Sequence, residues 1–325
     1  MRAIGQDDFG GPEVLRLVEV ARPEPGPAEV LVRVHAAGVN PTDSWHRASG
    51  GLAGAVVRLG WDVSGVVDAV GPGVTTLAPG DEVFGLPRHP LPAGTYAEYV
   101  TSPARHLVRK PAGLSHVEAA ALPLAGLTAW QALVDVADVQ PGQRVLVHAA
   151  AGGVGHLAVQ MAKARGARVV GTARSAKHDF LRGLGADELV DYTETDFETA
   201  VEPVDVVIDA IGGAYGPRSL RALRPGGVLV SLASPAEAWL ADEARPLGLR
   251  AAFMIVEADQ AGMREIAALA GAGRLRPEIE AVLPLDQAAR AHELADGRRT
   301  TGKIVLSVAD RPFFIPRIHG PERHF

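Results

Sequence analysis

Residues 145–155 constrain the fold of this chain more than any other segment. A short apolar run leads through a histidine and three alanines into three closely spaced glycines, and helix-forming residues follow at once. A buried strand that turns on glycines into a helix is typical of dinucleotide-binding βαβ units, because the bare backbone approaches a pyrophosphate closely and the first helical N–H groups face it. The segment therefore predicts a cofactor-binding loop formed by Gly152, Gly153, Val154 and Gly155.

The middle of the chain alternates between apolar runs and helical patterns. The runs, interpreted as strands, cover residues 144–147, 168–171, 204–210 and 228–232. The helices predicted between them cover residues 155–165, 176–184 and 215–223. Because β-branched strands without polar alternation are buried on both faces, this order predicts an α/β domain with a doubly wound parallel sheet of the Rossmann type.

The first third of the chain is predicted to be β-rich. Short runs at 30–34 and 63–70 are separated by Gly-Pro, Pro-Gly and Gly-Asp pairs, and Gly65 inside the second run indicates a close backbone approach. Further on, Ser115 and Glu118 have the spacing of a capping box and predict a helix start over 115–122. We expect a last helix at 259–272, a last strand at 303–308, and an extended or poorly ordered tail at 310–325.

Composition narrows the possible classes of function. A length of 325 residues predicts two domains, and the absence of cysteine excludes disulfides, thiolate metal ligands and a cysteine nucleophile. With a net charge of −6 and a pI of about 6.0, the sequence gives no sign of the basic stripe that a nucleic-acid partner requires. There is neither an apolar signal core near Met1 nor an apolar run of about 18 residues, so we expect no membrane partner and a cytoplasmic location.

The end of the second predicted strand bears on the choice of cofactor. NAD sites usually place an acidic residue there to hold the ribose 2′-hydroxyl, and this segment has none. It has Ser175 between Arg174 and Lys177, groups that would bind the 2′-phosphate of NADP through charge-assisted hydrogen bonds. The sequence therefore predicts NADP; the alternative is a solvated helix start with incidental basic residues.

Ordered motifs along residues 1–308 resemble one known family. They are GPEVL (11–15), GVNPTD (38–43), GWDVSG (60–65), GDEVFG (80–85), LPLAGLTAW (122–130) and GKIV (302–305). Together with the glycine loop, they resemble the zinc-free quinone oxidoreductase (zeta-crystallin-like) branch of the medium-chain dehydrogenase/reductase superfamily. The resemblance implies a GroES-like β-barrel catalytic domain from residues 1–117 and 258–325, wrapped around a Rossmann cofactor-binding domain at 118–257. It also implies an active cleft between the domains and a homodimer.

The same resemblance argues against a metal site. Where zinc alcohol dehydrogenases of the superfamily have a cysteine ligand, this chain has Asn40, and where they have Gly-His-Glu it has Gly60-Trp61-Asp62. The eleven histidines are scattered, and none forms a His-x-x-x-His pair. We expect His148 to pack beside the glycine loop and His46 to lie in the cleft or at the surface.

By the resemblance, Asn40 and Thr128 lie against the nicotinamide and are the candidate catalytic residues. The amide of Asn40 has donors and an acceptor for a carboxamide or a substrate oxygen, and the alternative is a turn residue before Pro41. Asp43 is expected to be structural, as an orienting partner at the domain junction.

Four aromatic residues complete the candidates. Trp45 either stacks on a flat substrate or packs in the core. Tyr192 has two possible roles. It flanks the adenine or the 2′-phosphate of the cofactor, or it is an ordinary packing residue. Tyr96 and Tyr99 lie in an alternating, strand-like stretch, so core packing is favoured over proton donation.

Without a Lewis acid, hydride transfer needs an acceptor that is already electron-poor, such as a quinone or a small α,β-unsaturated carbonyl. The leading hypothesis is therefore an NADPH-dependent reductase of such small molecules. One alternative is an enoyl reductase for a thioester or polyketide intermediate, but related enzymes carry a tyrosine acid after the Asn-Pro stretch, and none occurs between Pro41 and Trp61. A second alternative is a non-catalytic NADPH-binding redox sensor. A zinc dehydrogenase is disfavoured by the missing ligands.

Overall fold

The structure is a computed structural model that describes residues 1–309. The tail at 310–325, for which the sequence predicts an extended or poorly ordered state, lies outside the described residues. The described strands form a seven-stranded sheet, a six-stranded sheet and a two-stranded ribbon. The two large sheets correspond to the β-rich and α/β parts that the sequence predicts.

The β-rich part draws its strands from both ends of the described chain. The first part of the chain contains β1 (Arg2–Gly5), β2 (Arg16–Glu19), β3 (Glu29–Val39), α1 (Pro41–Ser49), β4 (Val63–Val70), β5 (Glu82–Gly85), β6 (Tyr99–Pro103) and β7 (Leu107–Arg109).

The middle and the last part of the described chain supply the remaining elements. The middle contains α2 (His116–Ala120), α3 (Pro123–Trp130), β8 (Arg144–Val147), α4 (Gly155–Ala164), β9 (Arg168–Thr172), α5 (His178–Gly183), β10 (Glu188–Val190), α6 (Phe197–Ala200), β11 (Val204–Asp209), α7 (Tyr215–Ala222), β12 (Leu223–Ser231), α8 (Leu240–Ala244) and β13 (Arg250–Phe253). The last part contains α9 (Gln260–Gly271), β14 (Ile279–Pro284), α10 (Ala288–Asp296) and β15 (Lys303–Ser307).

The seven-stranded sheet has the order β14-β15-β3-β4-β5-β7, and β6 pairs with β3. Its pairs are antiparallel except for β14 with β15, which run parallel. A Cβ atom on Gly65 in β4 would lie 2.1 Å from the carbonyl oxygen of Arg33. The close backbone approach predicted at this glycine is confirmed.

The six-stranded sheet is parallel throughout and has the order β10-β9-β8-β11-β12-β13. This is the strand order of a doubly wound dinucleotide-binding fold, which confirms the predicted α/β class. The order reverses between β8 and β11, and in such sheets the crevice at the carboxyl ends of these two strands binds the ligand. The glycine loop follows β8 and therefore lies at this crevice.

Three predicted elements differ from the structure. The strand predicted at 30–34 continues to Val39, because β15 pairs with its far end and Ile304 lies opposite Val39. The helix predicted at 176–184 begins as a 3-10 turn at Ser175–Lys177, and α5 starts only at His178. The strand predicted at 228–232 begins at Leu223, because its first residue already pairs with Val204 of β11. The other predicted strands and helices are present, with ends that shift by one or two residues.

A continuous apolar core joins the two parts of the molecule. It fills the faces of the parallel sheet around residues such as Val147 and Leu157. Trp61 and Phe84 from the β-rich part are fully buried in the same cluster. These two side chains therefore pack against the parallel-sheet part where the two parts of the molecule meet. The predicted domain limits at 117/118 and 257/258 stay a prediction.

Candidate active site

The glycine loop connects β8 to α4 and has room only for glycine at its last position. A Cβ atom on Gly155 would lie 2.4 Å from the carbonyl oxygen of Ala149, which belongs to the backbone and cannot move aside cheaply. Among the hydrogen bonds of residues 1–309, none uses the backbone N–H of Gly153, Val154 or Gly155. Three adjacent N–H groups at the start of a ten-residue helix form a site for an anion such as a pyrophosphate.

The loop is fixed from the opposite side by the last strands of the β-rich part. The Gly302 N–H donates to the Ala151 carbonyl at 2.9 Å. His156 donates from Nδ1 to the Gly152 carbonyl at 2.8 Å and accepts at Nε2 from the Glu278 N–H at 3.1 Å. Burial lowers the pKa of His156 to about 4, so the ring is neutral and keeps both bonds. Sequence reasoning missed His156 because its partner lies 122 positions away.

The predicted 2′-phosphate residues gather where β9 and β10 end. Arg174 and Ser175 are exposed, and Tyr192 is 39% exposed. The ammonium of Lys177 donates to the carbonyl oxygens of Arg299 at 3.0 Å and Thr300 at 3.2 Å. Burial lowers the pKa of Lys177. The structure thus brings these four residues to one end of the sheet, but two donor positions of Lys177 are already in use.

Asp191 is a residue of this region that sequence reasoning missed. Its Oδ2 accepts the backbone N–H of Ser175 at 2.6 Å, and its Oδ1 accepts from the hydroxyl and the backbone N–H of Thr193. These bonds, led by the Thr193 hydroxyl, hold the pKa of Asp191 well below its usual range. The acidic group absent from the end of β9 therefore stands one strand away, at the end of β10. Its charge opposes a phosphate at Ser175.

A cluster of buried polar side chains surrounds Asn40, where β3 ends and α1 begins. The Asn40 amide nitrogen Nδ2 donates to Asp62 Oδ2 at 2.8 Å. The ammonium of Lys303 donates to Asn40 Oδ1 and, at 3.0 Å, to the carbonyl oxygen of Val39. It also lies 3.6 Å from Asp62 Oδ2. Asn40, Asp62 and Lys303 are each 3% exposed or less.

Asp43 holds the start of α1 in place, as expected for an orienting residue. Its Oδ2 accepts the Asn40 N–H at 2.8 Å, and its Oδ1 accepts the Gly60 N–H at 2.9 Å. Complete burial raises the pKa of Asp43 to about 7, and the nearby charge of Asp62 adds to the increase against the hydrogen bonds. Asp43 therefore shapes the loop around Asn40 through the backbone.

Asp62 connects Asn40 to the helix that carries Thr128. Its Oδ1 accepts the Leu124 N–H at 2.6 Å in the first turn of α3. The Thr128 hydroxyl donates one turn back, to the Leu124 carbonyl at 2.7 Å, and the residue is 8% exposed. Asp62 thus bonds Asn40 directly and bonds the N–H of Leu124, the residue whose carbonyl accepts from Thr128. The sequence identified Asp62 only as the residue replacing a zinc ligand.

Of the two positions predicted for His46, the structure contradicts the one at the surface. The residue is buried, with 1% exposure, because Nδ1 donates to the Thr42 carbonyl at 2.8 Å and the ring packs against Trp61 at a centroid distance of 4.6 Å. The turn of α1 directs the ring inward. Its neighbour Trp45 is 42% exposed, so it does not pack in the core.

The predictions for His148 and Tyr96 agree with the structure. His148 is fully buried between the hydroxyls of Thr172 and Ser219, at 3.1 and 3.0 Å. Burial lowers the pKa of His148 to about 3, so the ring stays neutral. Tyr96 is 1% exposed in the core of the β-rich part, whereas Tyr99 is half-buried.

Two searches of the described chain bear on other ligands. Residues 1–309 hold no group of three or more histidine, aspartate or glutamate side chains placed to bind a metal ion. Within the same residues, no helix combines the length and the apolar character that a membrane span requires.

Comparisons with family models match both parts of the chain. Residues 26–112 match the alcohol dehydrogenase GroES-like domain, and residues 184–306 match a zinc-binding dehydrogenase domain. Among curated proteins, the 2-haloacrylate reductase of a Burkholderia species is 35% identical over 91% of this chain and 96% of its own length. The pikromycin polyketide synthase component PikAII of Streptomyces venezuelae is 38% identical over 89% of this chain, but the chain spans only 8% of that protein.

The comparison with solved structures also finds quinone oxidoreductases. The quinone oxidoreductase of Coxiella burnetii superposes with a TM-score of 0.91 at 38% identity and covers 95% of this chain and 99% of its own. The Escherichia coli quinone oxidoreductase, solved with NADPH, has a TM-score of 0.83 at 28% identity, with 95% and 100% covered.

Proposed function

The chain belongs to the zinc-free quinone oxidoreductase branch of the medium-chain dehydrogenase/reductase superfamily, and on this premise we propose that it reduces quinones or small α,β-unsaturated carbonyls with NADPH. Family membership makes it an oxidoreductase. The observation that carries the proposal is the spatial link between the glycine loop and Asn40 through the Lys303 side chain.

The residues present fit a nicotinamide dinucleotide. The three free N–H groups at Gly153–Gly155 suit a pyrophosphate. A Cβ atom on Gly153 would lie 3.3 Å from Lys303 Cδ, so this side chain passes the loop before its ammonium reaches Asn40. The length of one lysine side chain therefore separates Asn40 from the glycine loop. This spacing suits a cofactor whose pyrophosphate lies at the loop and whose nicotinamide lies near Asn40. When bound, the cofactor supplies hydride.

The residues around Asn40 orient the reactants and exclude water. Asn40 and Thr128 are buried at the packed domain junction, where fixed dipoles act more strongly than in water. A donor placed at a developing oxyanion contributes about 3 kcal/mol to its stabilisation. This supports an acceptor whose oxygen becomes anionic as hydride adds, which is the chemistry of quinones and enones. Proximity supplies much of the remaining acceleration.

We assign NADP rather than NAD to the exposed end of the site. Arg174 and Ser175 are exposed and can contact a 2′-phosphate, and Lys177 keeps one donor position. Tyr192 directly follows Asp191, which binds the Ser175 N–H. The relative from E. coli was solved with NADPH. The charge of Asp191 favours NAD instead, so the two cofactors must be compared directly.

The test is steady-state turnover by purified protein treated with EDTA. NADPH and NADH are each offered with a simple quinone and with a simple 2-enone. We expect turnover with NADPH well above that with NADH, and the better acceptor identifies the substrate class. NADH turnover at or above that of NADPH contradicts the cofactor assignment. Tight NADPH binding without turnover favours the redox-sensing alternative.

A second candidate function is reduction of an enoyl thioester. The identity of 38% to a polyketide synthase component favours it. An enoyl thioester of N-acetylcysteamine, added to the same assay, separates the two. Turnover of the thioester well above that of the free enone would replace the first proposal.

A further inference from the structure

The side-chain amide of Asn40 is held by two groups of opposite hydrogen-bonding character. Lys303, a cation with only donors, meets Oδ1. Asp62, with its Oδ2 accepting at 2.8 Å, meets Nδ2. All three side chains are buried, so water does not compete for these bonds.

This pairing allows one orientation of the amide. Rotation by 180° would turn the NH₂ group towards the ammonium and the oxygen towards the carboxylate, replacing two hydrogen bonds by two repulsive contacts. Asp62 is itself fixed, because its other oxygen accepts the Leu124 N–H at 2.6 Å. Lys303 is fixed by the Val39 carbonyl at 3.0 Å.

The orientation determines what Asn40 offers to a ligand. Its oxygen is occupied by Lys303, and one N–H is occupied by Asp62. Among residues 1–309, the second N–H has no acceptor. Asn40 therefore presents a hydrogen-bond donor and no acceptor, although asparagine in general has both.

We infer that Asp62 and Lys303 are positioning residues that orient the free N–H of Asn40 towards a carbonyl oxygen in the active site. The inference rests on the proposed function. The oxygen belongs either to the acceptor, where the N–H stabilises the charge formed during hydride addition, or to the nicotinamide carboxamide. A ligand group that can only donate, such as an ammonium or an amide N–H, is not accepted there.

A matched pair of variants tests the role of Lys303. Lys303→Gln and Lys303→Met both remove the charge, but only glutamine retains a donor for Asn40 Oδ1. We expect kcat of Lys303→Gln to exceed that of Lys303→Met by about tenfold, the effect of one hydrogen bond at the transition state. Equal kcat values in the two folded variants would show that Lys303 only balances charge and would overturn the inference.

Asn40→Asp identifies the oxygen that is bound. This change keeps the shape but removes both N–H groups, and the affinity for NADPH is measured by fluorescence titration without any acceptor. Weaker NADPH binding by about tenfold assigns the carboxamide oxygen, whereas retained binding with a similar loss of kcat assigns the acceptor oxygen. No change in either quantity contradicts the inference.

The amide orientation is also tested in the unliganded wild-type protein, so this result does not depend on turnover. In a ¹⁵N-labelled sample, the Asn40 side-chain signal is identified by its loss in Asn40→Asp. We expect one proton shifted downfield and slow to exchange, because it is bonded to Asp62, and one that exchanges faster. Two protons with equal exchange would refute the orientation. If wild-type protein turns over no acceptor while this pattern is present, the proposed function fails and the orientation stands.

Discussion

The buried carboxyl of Asp43 makes the stability of the protein depend on pH in an unusual direction. Its pKa is about 7 in the folded protein, compared with about 3.9 in an unfolded chain. Between these values the folded state keeps a proton that the unfolded state has released. Stability is therefore unaffected by this group below pH 4 and falls as the pH rises towards 7.

The variant that tests this dependence is Asp43→Asn, which replaces the titrating carboxyl by an amide. At about 1.4 kcal/mol for each pH unit below the folded pKa, the wild-type protein loses about 3 kcal/mol through this group between pH 5 and pH 8. Asparagine has one acceptor oxygen for the two N–H groups of Asn40 and Gly60, so one of them is left unpaired. That defect costs about 1–3 kcal/mol at either pH.

The assay is urea unfolding of both proteins at pH 5 and pH 8, followed by circular dichroism. We expect the variant to be less stable by about 1–3 kcal/mol at pH 5, and the difference to shrink or reverse at pH 8. Asp242→Asn is the control, because Asp242 is 78% exposed and its side chain loses the same charge without burial. A difference between wild type and Asp43→Asn that is the same at both pH values would refute the reasoning.

Three further predictions follow from the site. Gly155→Ala brings a Cβ atom to 2.4 Å from the Ala149 carbonyl, so we expect a loss of about 1–3 kcal/mol in urea unfolding and weaker NADPH binding. Gly183→Ala, with no atom within 4 Å of its Cβ, is the control and should change stability by less than about 1 kcal/mol. Arg174→Ala should raise KM for NADPH about tenfold and leave KM for NADH unchanged, and an equal effect on both would disprove a phosphate contact. Dialysis against a chelator should leave kcat unchanged, whereas a loss restored by zinc would reveal a metal requirement.

Local signals in the sequence predict the parts of the fold that neighbouring residues determine. The strand before the glycine loop is present as β8 with the predicted bounds. The capping box is confirmed as well, with the Glu118 N–H donating to the Ser115 hydroxyl at 3.2 Å. In both cases the residues that specify the structure are only a few positions apart in the sequence.

Contacts between distant residues explain what sequence reasoning missed. Lys303 meets Asn40 from 263 positions away, and Asp62 meets Leu124 from 62 positions away. A lysine in a last strand and an aspartate after a tryptophan carry no local sign of such partners. The family resemblance pointed to Asn40, but only the folded chain shows which hydrogen-bonding groups of its amide remain available.

The pairing of β15 with β3 has a consequence for the order in which the chain acquires its structure during synthesis. Val39 and its contact Lys303 are 264 positions apart, so β3 leaves the ribosome long before its neighbour is made. At 5–20 residues per second, this interval is roughly 13–53 s. All strands of the parallel sheet, which lie between residues 144 and 253, are synthesised before β14 and β15. In a nascent chain the end of β3, residues 36–39, therefore lacks its β15 partner until the last part of the described chain is made, and this short edge is the place where premature pairing with another chain would begin.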